Sequence, residues 1–198
     1  MEVLSVKLGA IRTNCYIAFL HDGGECVVID PGAEYNRVRS LLEAHRLSPV
    51  AVLFTHGHFD HTLASKPLQA AGATVYIHNG DFDKVSVNKY KVSDFDPAVP
   101  DVRLKGGERL SLAGIDFEVI HTPGHTKGCV CYLAGNALFS GDTLFCGDIG
   151  RTDLDDGDYD EIINSIKSKL LNLPDGTVVY PGHDASTTIG AERKNFDI

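Results

Sequence analysis

The stretch "FTHGHFDHT", Phe54 to Thr62, decides how this chain is read. It follows the apolar run Val50 to Phe54, which reads as a buried strand, and it brings His56, His58, Asp60 and His61 within six positions. Side chains two apart in extended backbone point the same way, so His56 and His58 can chelate one ion. Asp60 and His61, carried round the turn into a following helix, can face a second. Ordinary loop polarity accounts poorly for four imidazole and carboxylate groups packed this tightly behind a strand. A zinc finger lacks its thiolates, because no CxxC precedes His58 and His61, and a helical HExxH protease lacks its glutamate.

Three later segments repeat the context of a metal-competent side chain next to glycine just beyond a strand-like run. They are "HTPGHTKG" with His125, "FSGDTLF" with Asp142 and "YPGHDAS" with His183. Each is weak alone; with the opening motif they make seven ligands, enough for two ions, and a carboxylate such as Asp142 can bridge where neutral imidazole cannot.

Around these motifs, β-rich runs at 2–8, 15–20 and 26–30 suggest an antiparallel meander. Val38, Leu41, Leu42 and His45 give residues 36–46 a helical spacing. Residues 62–72 read as one helix that accommodates Pro67 near its start, and 74–80 as a strand. Residues 81–100 give no clear pattern. A ladder of hairpins turning at Gly106 and Gly107 and again at Gly114 is expected over 103–122, continuing through 128–142. Asp158 and Glu161 suggest a capping box before a helix striped by Ile162, Ile163, Ile166 and Leu170, and 176–180 reads as a last strand. Two β-rich stretches that each lead into helices stack as an α/β four-layer sandwich with helices outside, a single domain over 1–198. His56, His125, Asp142 and His183 then converge at one edge.

The net charge of −9, from 18 basic and 27 acidic residues, disfavours nonspecific nucleic-acid or anionic-membrane binding. Five cysteines without a CxxC pair argue against a disulfide framework and for reduced, mostly buried thiols. The N-terminal run shows neither a signal peptide nor a membrane anchor, so the expected location is the cytoplasm.

The motifs "THGHFDH", "TPGHT", "GDTLF" and "PGHD", in this order over nearly the whole chain, resemble the metallo-β-lactamase superfamily, and within it the glyoxalase II-like hydrolases; "TNCYIAF" and "GDIGRTDL" resemble the same branch. The resemblance implies the αββα fold, with His56, His58 and His125 on a first metal, Asp60, His61 and His183 on a second, and Asp142 bridging. It implies two divalent ions, zinc or alternatively iron or manganese. Glyoxalase II itself continues into a helical domain that helps bind glutathione, whereas fifteen residues follow His183 here and Ala185 stands in place of a tyrosine. The thiol carrier is therefore left open.

Two such ions lower the pKa of bound water and polarise a carbonyl, and Asp60 would orient the attacking oxygen. A thiolate leaves readily, so a small-molecule thioester such as a hydroxyacyl-thiol conjugate is the expected substrate. Persulfide dioxygenases share the run "GRTD", so an iron-dependent persulfide dioxygenase is the alternative enzyme; a metal-binding module without turnover is a third reading. No Ser, His, Asp triad or phosphate-binding loop competes. Arg151 is a candidate for an anionic part of the substrate, with a salt bridge in its own acidic loop as the rival role. His121, His78 and His45 read as structural, Cys146 as a buried thiol, and 153–161 as a solvated loop and helix cap.

Overall fold

The computed structural model of the protein describes residues 1–86 and 95–196. Its first sheet runs β1 (Glu2–Leu8), β2 (Thr13–Phe19), β3 (Glu25–Ile29), β4 (Ser48–Leu53), β5 (Thr74–His78) and β6 (Val102–Leu104), in that spatial order. The first three strands are antiparallel, as the meander requires, and the last three pairings are parallel. The second sheet has the order β12 (Thr187–Thr188), β11 (Val178–Pro181), β10 (Ala137–Gly141), β9 (Val130–Ala134), β8 (Ile115–His121), β7 (Arg109–Leu112).

The apolar runs of β2, β3 and β10 are continuous because these strands are buried on both faces, and alternate residues serve different layers. In β2, Tyr16 and Ala18 face the second sheet, while Cys15, Ile17 and Phe19 face helix α1 (Tyr35–Ala44) through Val38 and Leu42. In β10, Ala137 and Phe139 point between the sheets and Leu138 points outward to Ile162, Ile166 and Leu170. Three apolar layers separated by two sheets make the four-layer αββα sandwich.

Several local expectations change. The helix foreseen over 62–72 is two pieces, α2 (Phe59–Thr62) and α3 (Lys66–Ala70), because Pro67 cannot donate into a preceding turn and so starts a new helix. Gly106 and Gly107 do not turn a hairpin: β6 is an edge of the first sheet and β7 an edge of the second, so this glycine pair crosses between sheets. Gly114 does turn one, β7 to β8, with Ala113 and Gly114 both at positive φ (51° and 72°), the backbone of a two-residue hairpin turn. Part of the unpatterned 81–100 segment forms α4 (Phe82–Ser86), and the rest of it includes residues outside the described set. Asp158 caps α5 (Tyr159–Ser165) by accepting from the Glu161 amide at 2.9 Å, but its own amide donates to the Gly124 carbonyl (2.7 Å) and not to the Glu161 side chain. Past Ser165 the helix widens into a π turn over Ile166–Leu170. A short α6 (Ile189–Glu192) follows β12. Among the described residues no helix is long and apolar enough to cross a membrane.

The sheets are also stitched at one edge by hydrogen bonds. The Tyr132 hydroxyl donates to the Phe54 carbonyl (2.8 Å), the Val130 amide to the Thr55 carbonyl (2.9 Å), the Asn14 amide to the Gly182 carbonyl (2.7 Å) and the Tyr16 hydroxyl to the Pro181 carbonyl (2.6 Å).

Candidate metal centre

That stitched edge is where β3, β4, β8, β10 and β11 all end, at the carboxyl ends of strands, where open α/β sheets place their ligands. His56 and His58 follow β4, Asp60 and His61 lie in α2, and His125, Asp142 and His183 follow β8, β10 and β11. All seven residues expected from sequence come together there.

Within 4.8 Å of one another lie the ligand atoms of His56, His58 and His125, those of Asp60, His61 and His183, and those of His56, His61 and Asp142. Asp142 sits between the first two sets: its carboxylate oxygens are 3.6 Å from His125 Nε2, 3.4 Å from His61 Nε2 and 3.4 Å from His183 Nε2.

Tautomers follow from the hydrogen bonds. The Thr55 hydroxyl gives its proton to Asp30 Oδ2 (2.6 Å), so it accepts from His56 Nδ1 (3.1 Å). The Arg151 carbonyl accepts from His125 Nδ1 at 2.7 Å. In their neutral forms both rings then turn an Nε2 lone pair inward, and both nitrogens lie 2.9 Å from His58 Nδ1. One proton on His58 Nδ1 can serve only one of them. Three imidazole nitrogens so close suit a shared cation. In the other set, Asp30 Oδ2 accepts from His61 Nδ1 (2.9 Å), which turns His61 Nε2 toward Asp142 Oδ1. Both of these atoms are buried without a hydrogen-bond partner, as expected of atoms shaped for a metal ion.

Electrostatics separate the two sets. Burial, reinforced by neighbouring histidines, drives His56 well below the ordinary histidine range and His58 to about 4, so both are neutral donors at pH 7. Burial pushes the same way at His61 and His183, but the carboxylates of Asp60 and Asp142 overcome it and raise them to about 9 and about 10. Burial would raise Asp60 and Asp142; the facing His61, helped by His183, holds both below the carboxylate range. The second set therefore holds protons where it can hold a metal. The donor set fits divalent ions.

Supporting residues include two that the sequence did not reveal. Asp30, 2% exposed, directs both the Thr55–His56 pair and His61. Asp81, fully buried, accepts from the Gly57 amide (2.8 Å), the Thr126 hydroxyl (2.7 Å) and the Gly128 amide (3.1 Å). A lone acid after a strand has no spacing signature, so only the position of Asp30 at the end of "CVVID" hinted at it. The "TNCY" run supports the His183 loop: Asn14 Nδ2 donates to the carbonyls of Pro181 (2.9 Å) and Asp184 (3.2 Å), and the Thr13 hydroxyl donates to Asp60 Oδ2 (2.7 Å). Gly182 keeps the two sets undisturbed, because a Cβ there would collide with Asp142 Oδ1 and come within 2.7 Å of His61 Cε1.

A cavity of about 250 Å³ opens over these ligands, walled by Ile11, Phe59, Leu154 and Arg151. The Arg151 guanidinium is held in a two-pronged ion pair with Asp153 (2.7 and 2.8 Å) at the rim. His121 stacks on His78 (4.1 Å) and bonds the Lys127 carbonyl, and His45 pairs with Asp22, all away from the ligands. Four cysteines are buried, but Cys146 is exposed in the turn after Phe145, contrary to the sequence expectation. The 153–161 run is not purely a solvated loop either, since Asp156 pairs with Lys84.

The family profile described as the metallo-beta-lactamase superfamily matches residues 8–183. A hydroxyacylglutathione hydrolase, GloC of Haemophilus influenzae, is 35% identical over 98% of this chain and 96% of its own length. Among solved structures, TTHA1623 in a di-iron-bound form superposes with a TM-score of 0.85 at 36% identity, covering 97% of this chain and 98% of that one. ETHE1 from Myxococcus xanthus gives 0.84 at 30%, covering 99% and 83%. The profile match over residues 8–183 and the relatives aligned over nearly the whole chain place it in the metallo-beta-lactamase superfamily, in its glyoxalase II-like branch.

Proposed function

We propose that this protein is a hydrolase of a small-molecule thioester, such as a hydroxyacyl-thiol conjugate, working with two divalent ions. His56, His58 and His125 would hold the first, Asp60, His61 and His183 the second, and Asp142 would bridge. The observation that carries this reading is the pair of three-ligand sets meeting at one buried carboxylate. Similarity to GloC supports the thioester, and the di-iron form of TTHA1623 supports two ions while leaving zinc, iron and manganese open.

When bound, the ions supply an activated water and polarise the thioester carbonyl. The chain's own residues do the rest. Asp60, fixed by the Thr13 hydroxyl, orients the water. Ile11, Phe59 and Leu154 shield the reacting carbonyl from bulk solvent. The departing thiolate, with an ordinary thiol pKa of about 8.5, needs no dedicated acid. Arg151, paired with Asp153 through Nε and Nη2, would meet an anionic substrate group through Nη1 or by exchanging Asp153 for it.

Metal content per chain and a panel of thioesters, β-lactams and persulfides test the proposal. Two ions with thioester turnover that Asp60→Ala abolishes support it. A single iron with oxygen consumption on a persulfide would establish instead the dioxygenase reading that the Gly150–Asp153 run motivates. Metal binding without any turnover would reduce the site to a binding module.

A further inference from the structure

The ammonium of Lys84 is buried, 7% exposed, although lysine rarely is. Its Nζ donates to Asp81 Oδ1 (2.9 Å) and to both oxygens of Asp156 (2.9 and 2.8 Å). Burial works against its charge, and the two carboxylates outweigh that, holding its pKa above the usual lysine value.

The two acids reach different parts of the centre. Through the Gly57 amide, Asp81 fixes the link between His56 and His58; through Thr126 and the Gly128 amide, it fixes the loop after His125. The packing allows no slack: a Cβ on Gly57 would lie 2.8 Å from Lys84 Cβ, and one on Gly128 2.5 Å from Asp81 Cγ. Asp156 belongs to the cavity wall, the segment whose Arg151 carbonyl sets the His125 tautomer and whose Leu154 lines the cavity; it also accepts from the Lys127 amide (3.2 Å). Among the described residues, the hydrogen bonds given for this network run to the segments that carry His56, His58 and His125, and to none of Asp60, His61 and His183.

We infer that Lys84 is a positioning residue of the first metal site, where its ammonium locks Asp81 and the two histidine loops to the Asp156 wall. Without that charge, two carboxylates face each other unpaired, Asp156 swings to solvent, and the wall that orients His125 is released.

The test is zinc affinity by competition with a chromophoric chelator, in full-length chains that retain one ligand set each. With His183→Ala only the first set is complete, and with His58→Ala only the second. Lys84→Met should weaken zinc about 10- to 100-fold in the first background, the range for removing a ligand-orienting partner, and less than about threefold in the second. Equal losses in both, or no loss in the first, would overturn the inference. If Lys84→Met does not fold, Asp156→Asn at the half-buried end asks the same question, with the same ordering of losses expected and an equal loss again decisive against it. The inference rests on the metal assignment above and not on the substrate. A His183→Ala chain that binds no zinc with Lys84 intact defeats that assignment, whereas a zinc-loaded protein that splits no thioester leaves this test standing.

Discussion

Replacing Asp30 by asparagine should cost the second ion far more than the first. Asp30 offers two acceptor oxygens to three donors: Oδ1 to the Thr55 amide (2.8 Å), Oδ2 to the Thr55 hydroxyl (2.6 Å) and to His61 Nδ1 (2.9 Å). Asparagine has one acceptor end and one donor end. Whichever way it turns, at least one buried donor faces an NH2 group, at about 1–3 kcal/mol for each unsatisfied group. Turning the NH2 toward His61 also moves the ring proton to Nε2, the atom the metal needs. Asparagine tolerates the left-handed backbone of Asp30 (φ 50°), so strain does not confuse the result. The expected loss is about 10- to 100-fold in affinity for the second ion, or about 1.4–2.7 kcal/mol. His56 is reached only indirectly, through Thr55, so the first ion should change by less than about threefold. Chelator competition in the single-set backgrounds measures both, with circular dichroism to confirm the fold. Unchanged second-ion affinity in a folded Asp30→Asn protein, or a loss confined to the first, would refute the reasoning.

Metal loading at pH 7 should release close to two protons, because His61 and His183, at about 9 and about 10, are protonated in the metal-free protein; calorimetry in buffers of different ionisation enthalpy counts them. Stability of the metal-free protein should peak near neutrality. The raised pair holds more protons folded than unfolded between about 6.5 and 10, so stability falls as pH rises through that window; His58, at about 4, holds fewer between about 4 and 6.5, so stability falls as pH drops there. Chemical denaturation across pH 4–10 checks both limbs, and a monotonic curve would contradict them. Gly182→Ala should fold yet lose second-ion binding and turnover, since its methyl would displace the Asp142 carboxylate; full activity would show that the loop yields. Phe139→Ala, fully buried between the sheets, should cost about 3–5 kcal/mol by denaturant titration, with metal stoichiometry retained.

The candidate ligands were legible in the sequence as a cluster because coordination favours certain residue types and spacings: His56 to His61 announce themselves, His125, Asp142 and His183 share one context, and the fold brings all seven together. The sandwich was legible because apolar runs buried on both faces look continuous. What escaped was whatever depends on long-range partners. Gly106 and Gly107 look like a hairpin turn, and only the pairing of β6 with β5 reveals a crossing. Asp30 and Asp81 are ordinary acids until the donors around them are known. Asp156 looked solvated in its acidic run because nothing local announces Lys84, 72 residues earlier. Pro67 did carry a signal, but it marks the start of a new helix and not a tolerated kink.

The division of ligands between the two sheets has a consequence for biosynthesis. His56, His58, Asp60 and His61 follow the fourth strand, while His183 comes 127 residues after His56. At about 5–20 residues per second, a ribosome takes about 6–25 s to make that stretch. His125 and Asp142 join the nascent chain partway through that interval, and His183 comes last. Completion of the second set, Asp60, His61 and His183, is therefore a late event, tied to docking of the last strands, whereas the first set, His56, His58 and His125, is already synthesised by residue 125.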